Sequence, residues 1–373
     1  ALTMWIKVYI DKHRITDQHA NLRQVTPSLV STVLHTLKAV VEVAEDTDQP
    51  AWLGNGPARE FLAVQNTLLD LGCLQQSVTD CLEALTPAWF SPVVLPVRFD
   101  VAAECPEWDR FLVRVLEDDC ERTEVLQEWF GYCVRVDTTQ QKFLLLEGEG
   151  ANGKSVVTGV LTHLLGEANV SHVPLEAFGQ RFQLTMTLGK LANIVPEVGD
   201  LRGVAEGTLK QFTGGDRMYF DRKGIPGVNV HPSARLVLAT NHRPRFADRS
   251  SGLWRRMLFM PFRVSIPPEE QDPLLGQKLR DELPGILNWA IEGLGRLRQQ
   301  GRFTHSTVMT EALEQYQQES NPAQEFLTEC CRQEPGSVVP GALVYDIYDR
   351  WCGRGAQRAV ARAKRSLDRA WRR

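Results

Sequence analysis

Apolar and polar positions repeat along the chain with two different periods, and they mark three blocks. The first block, residues 1–135, mixes short strand-like runs with amphipathic helical stretches. The strand-like runs are residues 5–10 and 93–99, and the helical stretches are residues 106–116 and 121–134. Turn-forming residues cluster at 46–50 and 54–57. The pattern predicts a mixture of short strands and helices.

The second block, residues 136–303, alternates apolar runs of strand length with helical patterns. Its strand-like runs are residues 143–146, 191–195, 236–239 and 257–262, and a helical pattern at 156–165 follows the first run. This alternation is typical of an α/β sheet packed between helices.

The third block, residues 304–373, has a helical pattern. Pro322 and Pro340 each begin a helical stretch, since proline is tolerated in the first turn of a helix. The sequence Gly353-Arg354-Gly355 predicts a turn, and a basic helix is predicted to follow it.

Composition indicates a folded protein large enough for two or three packed units. The chain has 373 residues, of which 43% are hydrophobic and 24% charged, as in ordinary globular proteins. No apolar run approaches the roughly 20 residues that cross a bilayer, and no secretory signal pattern opens the chain, so we expect a cytoplasmic protein. The eight cysteines form no C-x-x-C pair, which argues against zinc and disulfides.

Charge is unevenly distributed along the chain. The formal net charge is −4, but residues 350–373 contain nine lysines and arginines and one aspartate. Five of these arginines recur at steps of three and four, which places them on one helical face. They are Arg358, Arg362, Arg365, Arg369 and Arg372. We predict a helix-turn-helix or winged-helix-like element that contacts DNA, with a solvated basic helix as the alternative.

Residues 148–155 read GEGANGKS, which matches the phosphate-binding pattern G-x-x-x-x-G-K-[ST]. The match lies between a strand-like run and a helical one, as the pattern requires. Backbone N–H groups surround the phosphates, Lys154 reaches the β and γ oxygens, and Ser155 offers a hydroxyl to Mg²⁺. We therefore expect ATP and Mg²⁺ as cofactors. The predicted nucleotide-binding residues are Gly148, Glu149, Gly150, Ala151, Asn152, Gly153, Lys154, Ser155 and Val156.

Hydrolysis needs further groups near the phosphates, and the sequence offers a candidate for each. Glu197 follows one strand-like run and supplies a carboxylate, with Asp200 as a second candidate for Mg²⁺. Asn241 follows the next run, where a side-chain amide can sense the γ-phosphate. Arg255 and Arg256 precede the last run and are candidates for stabilising the charge of the transition state.

This ordered set resembles superfamily 3 helicases, and among them the phage and plasmid (poxvirus-like) primase-helicases. The matching segments are GEGANGKS, KLANIVPE, LKQFTGGDRMYFDRKG, LVLATNHRP and LWRRMLFMPF. Upstream, PAWLG, FLAVQNTLLDL and LQEWFGYCV resemble the helical domain that precedes the motor in that family. The resemblance implies a mainly helical N-terminal domain (1–135), an AAA+ type P-loop ATPase core (136–303) and a helical, winged-helix-like C-terminal element (304–373).

The resemblance also implies a homo-hexameric ring that encircles DNA, moves along a single strand and holds each ATP between two subunits. In such a ring Lys154 and Ser155 bind phosphate and Mg²⁺, Glu197 is the acidic residue of the second motif, and Asn241 is the sensor. One of the two arginines named above reaches the neighbour's ATP, and the family pattern does not choose between them. Many members carry two adjacent acids at the second motif, whereas this chain has one, which leaves the part of Asp200 open.

In the same family, the segment corresponding to residues 214–230 carries a hairpin that grips DNA in the pore of the ring. Basic and aromatic residues together suit phosphates and stacked bases. The basic residues are Arg217, Arg222 and Lys223, and the aromatic residues are Tyr219 and Phe220. The expected partners are single-stranded or forked DNA and further copies of the chain.

Two other classes of protein remain open. An AAA+ replication initiator or DNA-binding ATPase would use ATP for assembly without processive unwinding. A P-loop kinase for small molecules would explain Lys154, but it has no use for paired arginines or a basic terminal helix. The sequence contains neither a zinc-binding cluster nor a convincing pair of catalytic carboxylates, so it does not predict a primase within these residues. If a primase domain exists, we expect it before Ala1 or on another chain.

Overall fold

The computed structural model describes residues 26–40, 50–53, 60–73, 81–136, 138–198, 206–244, 246, 251–320, 322–332, 334 and 338–354. The chain divides into two compact units, Ala1–Ala51 and Trp52–Arg373. The first contains helix α1 (Pro27–Val40), in which Val30 is buried among apolar neighbours. The predicted strand at 5–10, the predicted turn at 54–57, most of that at 46–50, and the basic C-terminal helix lie outside the described residues.

Short strands are the regular elements in the described part of residues 51–90, which is 51–53, 60–73 and 81–90. They are β1 (Ala51–Trp52), β2 (Phe61–Ala63), β3 (Leu68–Asp70), β4 (Leu82–Glu83) and β5 (Trp89–Phe90). The middle three form an antiparallel sheet. The implied mainly helical N-terminal domain is therefore wrong for this region, because its apolar runs span about three residues between turns and are too short for a helix that buries one face.

The segment predicted as a strand at 93–99 belongs to no sheet, although it keeps the burial pattern of a strand. Val93, Leu95 and Val97 are buried and the residues between them exposed, as in a half-buried strand. The N–H of Leu95 donates to the carbonyl of Ala63 (2.9 Å). Prolines at 92 and 96 have no N–H to donate, which interrupts regular strand pairing.

Two helices follow where the sequence predicts them, α2 (Pro106–Val115) and α3 (Cys120–Cys133). The carboxylate of Glu282 accepts hydrogen bonds from the N–H groups of Glu107 and Trp108 at the start of α2. Asp119 caps α3 by accepting from the N–H of Arg122 (3.0 Å). The buried guanidinium of Arg122 also donates to the carbonyl of Pro261 (2.9 Å), so these helices are tied to the sheet that follows.

A five-stranded sheet lies at the centre of the second unit. The remaining strands of the chain are β6 (Phe143–Glu147), β7 (Val170–Ser171), β8 (Ala192–Val195), β9 (Met218–Phe220), β10 (Val228–Val230), β11 (Arg235–Thr240) and β12 (Met257–Pro261). The sheet order is β12-β6-β11-β8-β7, and every neighbouring pair is parallel. Strands β9 and β10 form a separate antiparallel hairpin. The predicted α/β sheet is confirmed.

Helices surround the sheet and follow it. They are α4 (Lys154–Leu165), α5 (Glu206–Gly214), α6 (Ser251–Trp254), α7 (Leu275–Asp281), α8 (Leu283–Gln300), α9 (Thr307–Ser320), α10 (Pro322–Cys330) and α11 (Gly341–Arg354). The helices predicted at Pro322 and Pro340 are present. The turn predicted from Gly353 is wrong for Gly353 and Arg354, which continue α11, because a single glycine weakens a helix without ending it. None of the described helices combines the length and apolar character that spanning a bilayer requires.

The two faces of the sheet enter separate hydrophobic cores. Leu144 and Leu146 of β6 point into a core that also contains α2, α3 and α8, whereas Phe143 and Leu145 enter a core with α5 and α9. Alternate residues of a strand face opposite sides, which explains why β6 is apolar at successive positions. The first core crosses the predicted boundary at residue 135, so α2 and α3 pack against the sheet and share its core.

The described cysteines at positions 73, 81, 105, 120, 133, 330 and 331 are thiols. Burial raises the pKa of Cys105 and Cys133 to about 12. These two thiols stay protonated at neutral pH, and they fill space in the core.

Close contact between α3 and α8 depends on glycine and gives a test of the fold. A Cβ on Gly293 would lie closer than 3.0 Å to the backbone of Gln127, while a Cβ on Gly295 meets open space. We expect Gly293→Ala to lower the free energy of unfolding by about 1–3 kcal/mol through overpacking. Gly295→Ala, on the same helix, should raise it by up to about 1 kcal/mol. Urea unfolding measures both; equal effects would contradict the packing.

Candidate functional site

The carboxyl ends of β6, β11 and β8 lie together along one side of the sheet, which we call its carboxyl edge. Glu147 of β6 is paired with Thr240 of β11, and the next N–H, that of Gly148, donates to the carbonyl of Thr240 (3.2 Å). The phosphate-binding loop therefore begins beside the point where Asn241 leaves β11. On the other side of β11, the N–H of Val198 donates to Ala239 (2.9 Å), which brings the end of β8 to the same edge.

The loop between β6 and α4 turns tightly because several of its residues are small or have positive φ. A Cβ on Gly148 would lie closer than 3.0 Å to the side chain of Asn152 and to the carbonyl of Phe262. Gly153 has φ +92°, and a Cβ there would lie 2.8 Å from the ring of Phe111 on α2. A hydrogen bond from outside the loop also restrains it, since the N–H of Ile266 donates to the carbonyl of Ala151 (2.7 Å).

Lys154 lies at the centre of this arrangement. Its side chain is buried, and its ammonium donates to the carbonyl of Gly148 (2.5 Å), to Oδ1 of Asn152 (3.0 Å) and to Oδ1 of Asn241 (3.3 Å). Burial lowers the pKa of Lys154, and the nearby carboxylate of Glu147 partly opposes that effect. The structure thus brings together the lysine, the loop amide and the amide after β11.

Two side chains near this edge carry oxygen atoms of the kind that magnesium prefers as ligands. Ser155, in the first turn of α4, and Glu197, two residues after β8, are both exposed. Mg²⁺ in nucleotide sites is usually held by one or two protein oxygens together with phosphates, and a hydroxyl and a carboxylate suit that role. The loop is lined by glycines, and an added Cβ at Gly148 or Gly153 would fill its space. A loop of this kind suits phosphates. Asp200, the second predicted acid, lies outside the described residues.

Arg255 and Arg256 lie at the opposite end of the sheet. Met257, the next residue, is paired with Phe143 at the start of β6, about 13 Å of strand away from the loop. Arg256 is partly buried and donates to the carbonyl of Gly252 (2.6 Å), whereas Arg255 is exposed and its guanidinium has no hydrogen bond to any described residue. Neither arginine joins the site of its own chain.

The sequence did not single out Arg243, which connects the site to α9. Its guanidinium lies 3.4 Å from the carboxylate of Glu147, just before the phosphate-binding loop, and 2.8 Å from that of Glu319 on α9. It also stacks over the rings of Phe259 and Tyr316. Arg243 lies two residues after Asn241, the predicted sensor. This closeness in sequence is the feature from which Arg243 could have been predicted as a site residue.

The segment predicted to touch DNA forms a hairpin of β9 and β10. Tyr219 is 61% exposed, but Phe220 is buried, so the prediction that Phe220 offers a ring for stacking is wrong. Successive strand residues face opposite sides, and Phe220 faces the core. The basic residues lie on and beside the hairpin: Arg217 is bonded to His231 (3.3 Å), Arg222 is bonded to the carbonyl of Pro226 (2.7 Å), and Lys223 is exposed. The arginines at 358, 362, 365 and 369 lie outside the described residues.

The fold and this edge define a parallel α/β core with a P-loop-like phosphate site. The profile of a protein family described as "Family of unknown function (DUF5906)" matches residues 146–256. These residues run from the end of β6 to Arg256, and so include the loop, the acid, the amide and both arginines.

Two viral proteins are similar in sequence. "Putative helicase L207/L206" of Acanthamoeba polyphaga mimivirus is 23% identical over 269 residues, which are 64% of this chain and 27% of that protein. "Putative helicase 184R" of Invertebrate iridescent virus 6 is 24% identical over 148 residues, 36% of this chain and 15% of that protein. The chain thus spans about a quarter or less of the length of these relatives.

Among solved structures, the apo C-terminal region of NrS-1 is similar to this chain. One of its forms covers 80% of this chain and 69% of its own, with a TM-score of 0.49 and 12% identity. Another structure of the region, residues 305–718, covers 87% of this chain and 81% of its own, with a TM-score of 0.48 and 13% identity.

Gly148 provides a test of the loop geometry. Gly148→Ala should displace Asn152 and the Phe262 carbonyl, and we expect it to abolish binding of a fluorescent ATP analogue. Gly159→Ala is the matched control, because Gly159 lies on α4, which follows the loop, and a Cβ there meets nothing within 4 Å. Binding is read by fluorescence anisotropy. Wild-type affinity in Gly148→Ala would refute the proposed turn.

Proposed function

We propose that this chain is the ATP-hydrolysing motor of a DNA helicase of the superfamily 3 type, which works as a ring in the replication of a phage, plasmid or other mobile element. The main support is the convergence of Lys154, Asn152 and Asn241 at the carboxyl edge of a parallel sheet, with Glu197 on the neighbouring strand end. The names of the viral relatives point to the same activity.

Each side chain at this edge has a role in the proposed hydrolysis. The backbone N–H groups of the loop and Lys154 hold the phosphates of ATP, and Ser155 contributes an oxygen to Mg²⁺. Glu197 orients the attacking water or contributes to the metal site, as a carboxylate does in related chemistry. Asn241 already contacts Lys154, so the amide is near the γ-phosphate position that Lys154 would mark.

The positions of the arginines favour action between subunits. About 13 Å of strand separates them from the phosphate-binding loop of their own chain. In a ring with ATP between neighbours, an arginine at the far end of one sheet can reach the nucleotide of the next subunit. We assign this role to Arg255, because its side chain is exposed and its guanidinium has no hydrogen bond to a described residue, while the guanidinium of Arg256 donates to the carbonyl of Gly252.

Hydrolysis coupled to DNA distinguishes a motor from the other classes of protein. We expect single-stranded DNA to stimulate ATP hydrolysis by the wild type, and Glu197→Gln to reduce turnover by about 100-fold or more while ATP binding persists. A phosphate-release assay and a nucleotide-binding assay measure the two properties. A Glu197→Gln variant that still supports DNA function would indicate an initiator, and phosphate transfer to a small molecule without DNA stimulation would indicate a kinase.

A mixing experiment tests the assignment of Arg255. Lys154→Ala and Arg255→Ala should each lose turnover, and a mixture should recover part of it, because a subunit with an intact loop can meet a neighbour with an intact arginine. Arg256→Ala serves as the comparison: its bond to Gly252 predicts a lower melting temperature, which Arg255→Ala should leave unchanged. Absence of rescue in every mixture would contradict action between subunits.

A further inference from the structure

An ion pair lies beside the phosphate-binding loop, on the side of the sheet that faces α9. Glu147 is the last residue of β6 and directly precedes Gly148. Alternate residues of a strand face opposite sides, so its side chain leaves the sheet on the same side as Phe143 and Leu145, which enter the core with α9. There Nε of Arg243 lies 3.4 Å from its carboxylate. A carboxylate and its counter-ion therefore border the loop.

The position of this carboxylate is unfavourable for an anionic ligand. The side chains of Glu147 and Arg243 are only 20% and 23% exposed, so water screens their charges in part. The charge of Glu147 also reaches the loop: burial lowers the pKa of Lys154, and the electrostatic effect of Glu147 raises it. The same negative charge would repel the phosphates that Lys154 binds. An unpaired Glu147 would therefore weaken the binding of a triphosphate.

Contacts from β12 and α9 hold the guanidinium of Arg243 in place. It donates to the carboxylate of Glu319 on α9 (2.8 Å). Its central carbon lies over two rings, 5.6 Å from the centre of Phe259 and 5.9 Å from that of Tyr316. The hydroxyl of Tyr316 donates to the carbonyl of Pro244, the residue after Arg243. The positive charge is thus fixed by the fold and does not depend on a bound nucleotide.

We propose that Arg243 is a positioning residue for ATP binding, which neutralises the carboxylate of Glu147 beside the phosphate-binding loop and so prevents it from repelling the triphosphate. The inference rests on the proposed function and adds a requirement that the phosphate-binding pattern itself does not contain. Arg243 acts on the nucleotide through Glu147, since both of its ion pairs are with glutamates on the α9 side of the sheet.

Titration of the full chain with a fluorescent ATP analogue, followed by anisotropy, tests this charge balance. Arg243→Gln leaves Glu147 unpaired, and we expect binding to weaken about ten-fold. Combining it with Glu147→Gln removes both charges and should return the affinity to within about two-fold of the wild type, because the two residues act as a pair. A double variant as weak as Arg243→Gln would overturn the proposal and indicate that Arg243 contacts the phosphates directly.

Three single variants separate charge from packing. Arg243→Lys keeps the positive charge without the flat guanidinium and should bind the analogue more tightly than Arg243→Gln. Glu147→Gln should bind at least as tightly as the wild type, because a negative charge leaves the site. Glu319→Gln is the matched control: it removes the other ion pair of Arg243, keeps the pair with Glu147 and should leave the affinity unchanged.

Each possible result decides between the two levels of the argument. Weaker binding by Glu147→Gln or by Glu319→Gln, or equal binding by the lysine and glutamine variants at Arg243, would overturn the charge-neutralising role. Those results leave the proposed motor intact as long as the wild type binds the analogue. A wild type that binds no ATP analogue would overturn the proposed function as well.

Discussion

The parallel register between β6 and β11 sets the geometry on which the candidate site depends. Pairing of Glu147 with Thr240 means that the phosphate-binding loop and Asn241 leave the sheet at the same level. Lys154 can then reach the loop carbonyl and both amides with one ammonium group. A shift of the register by one residue would turn every side chain of β11 to the other face and remove Asn241 from the lysine.

The loop also depends on helices that precede it in the chain. Gly153 packs against Phe111 of α2, and the buried guanidinium of Arg122 on α3 holds the carbonyl at the end of β12. Both helices share one hydrophobic core with α4 and α8. The helices upstream of the P-loop motif therefore support the phosphate site by packing against it. For this reason α2 and α3 do not form a domain separate from the sheet.

The two ends of the sheet carry different chemistry. Lys154, Glu197 and Asn241 occupy the carboxyl end, and Arg255 occupies the amino end, so one chain does not assemble all four groups around one nucleotide. Arg243 adds a connection from the site to α9 through Glu147 and Glu319. Under the proposed function, this bridge gives a change at the phosphates a direct path to the helices that follow the motor.

The sequence alone determined the strands and helix around the P-loop motif, because long apolar runs and a glycine-lysine-serine turn have few alternatives. It also predicted that Asn241 would follow a buried strand. Only the tertiary structure decided that Phe220 is buried while Tyr219 is exposed, that the described residues between 51 and 90 include short strands, and that Arg243 reaches Glu319. These outcomes depend on contacts between distant residues, and local periodicity carries no information about which face of a short element meets the core.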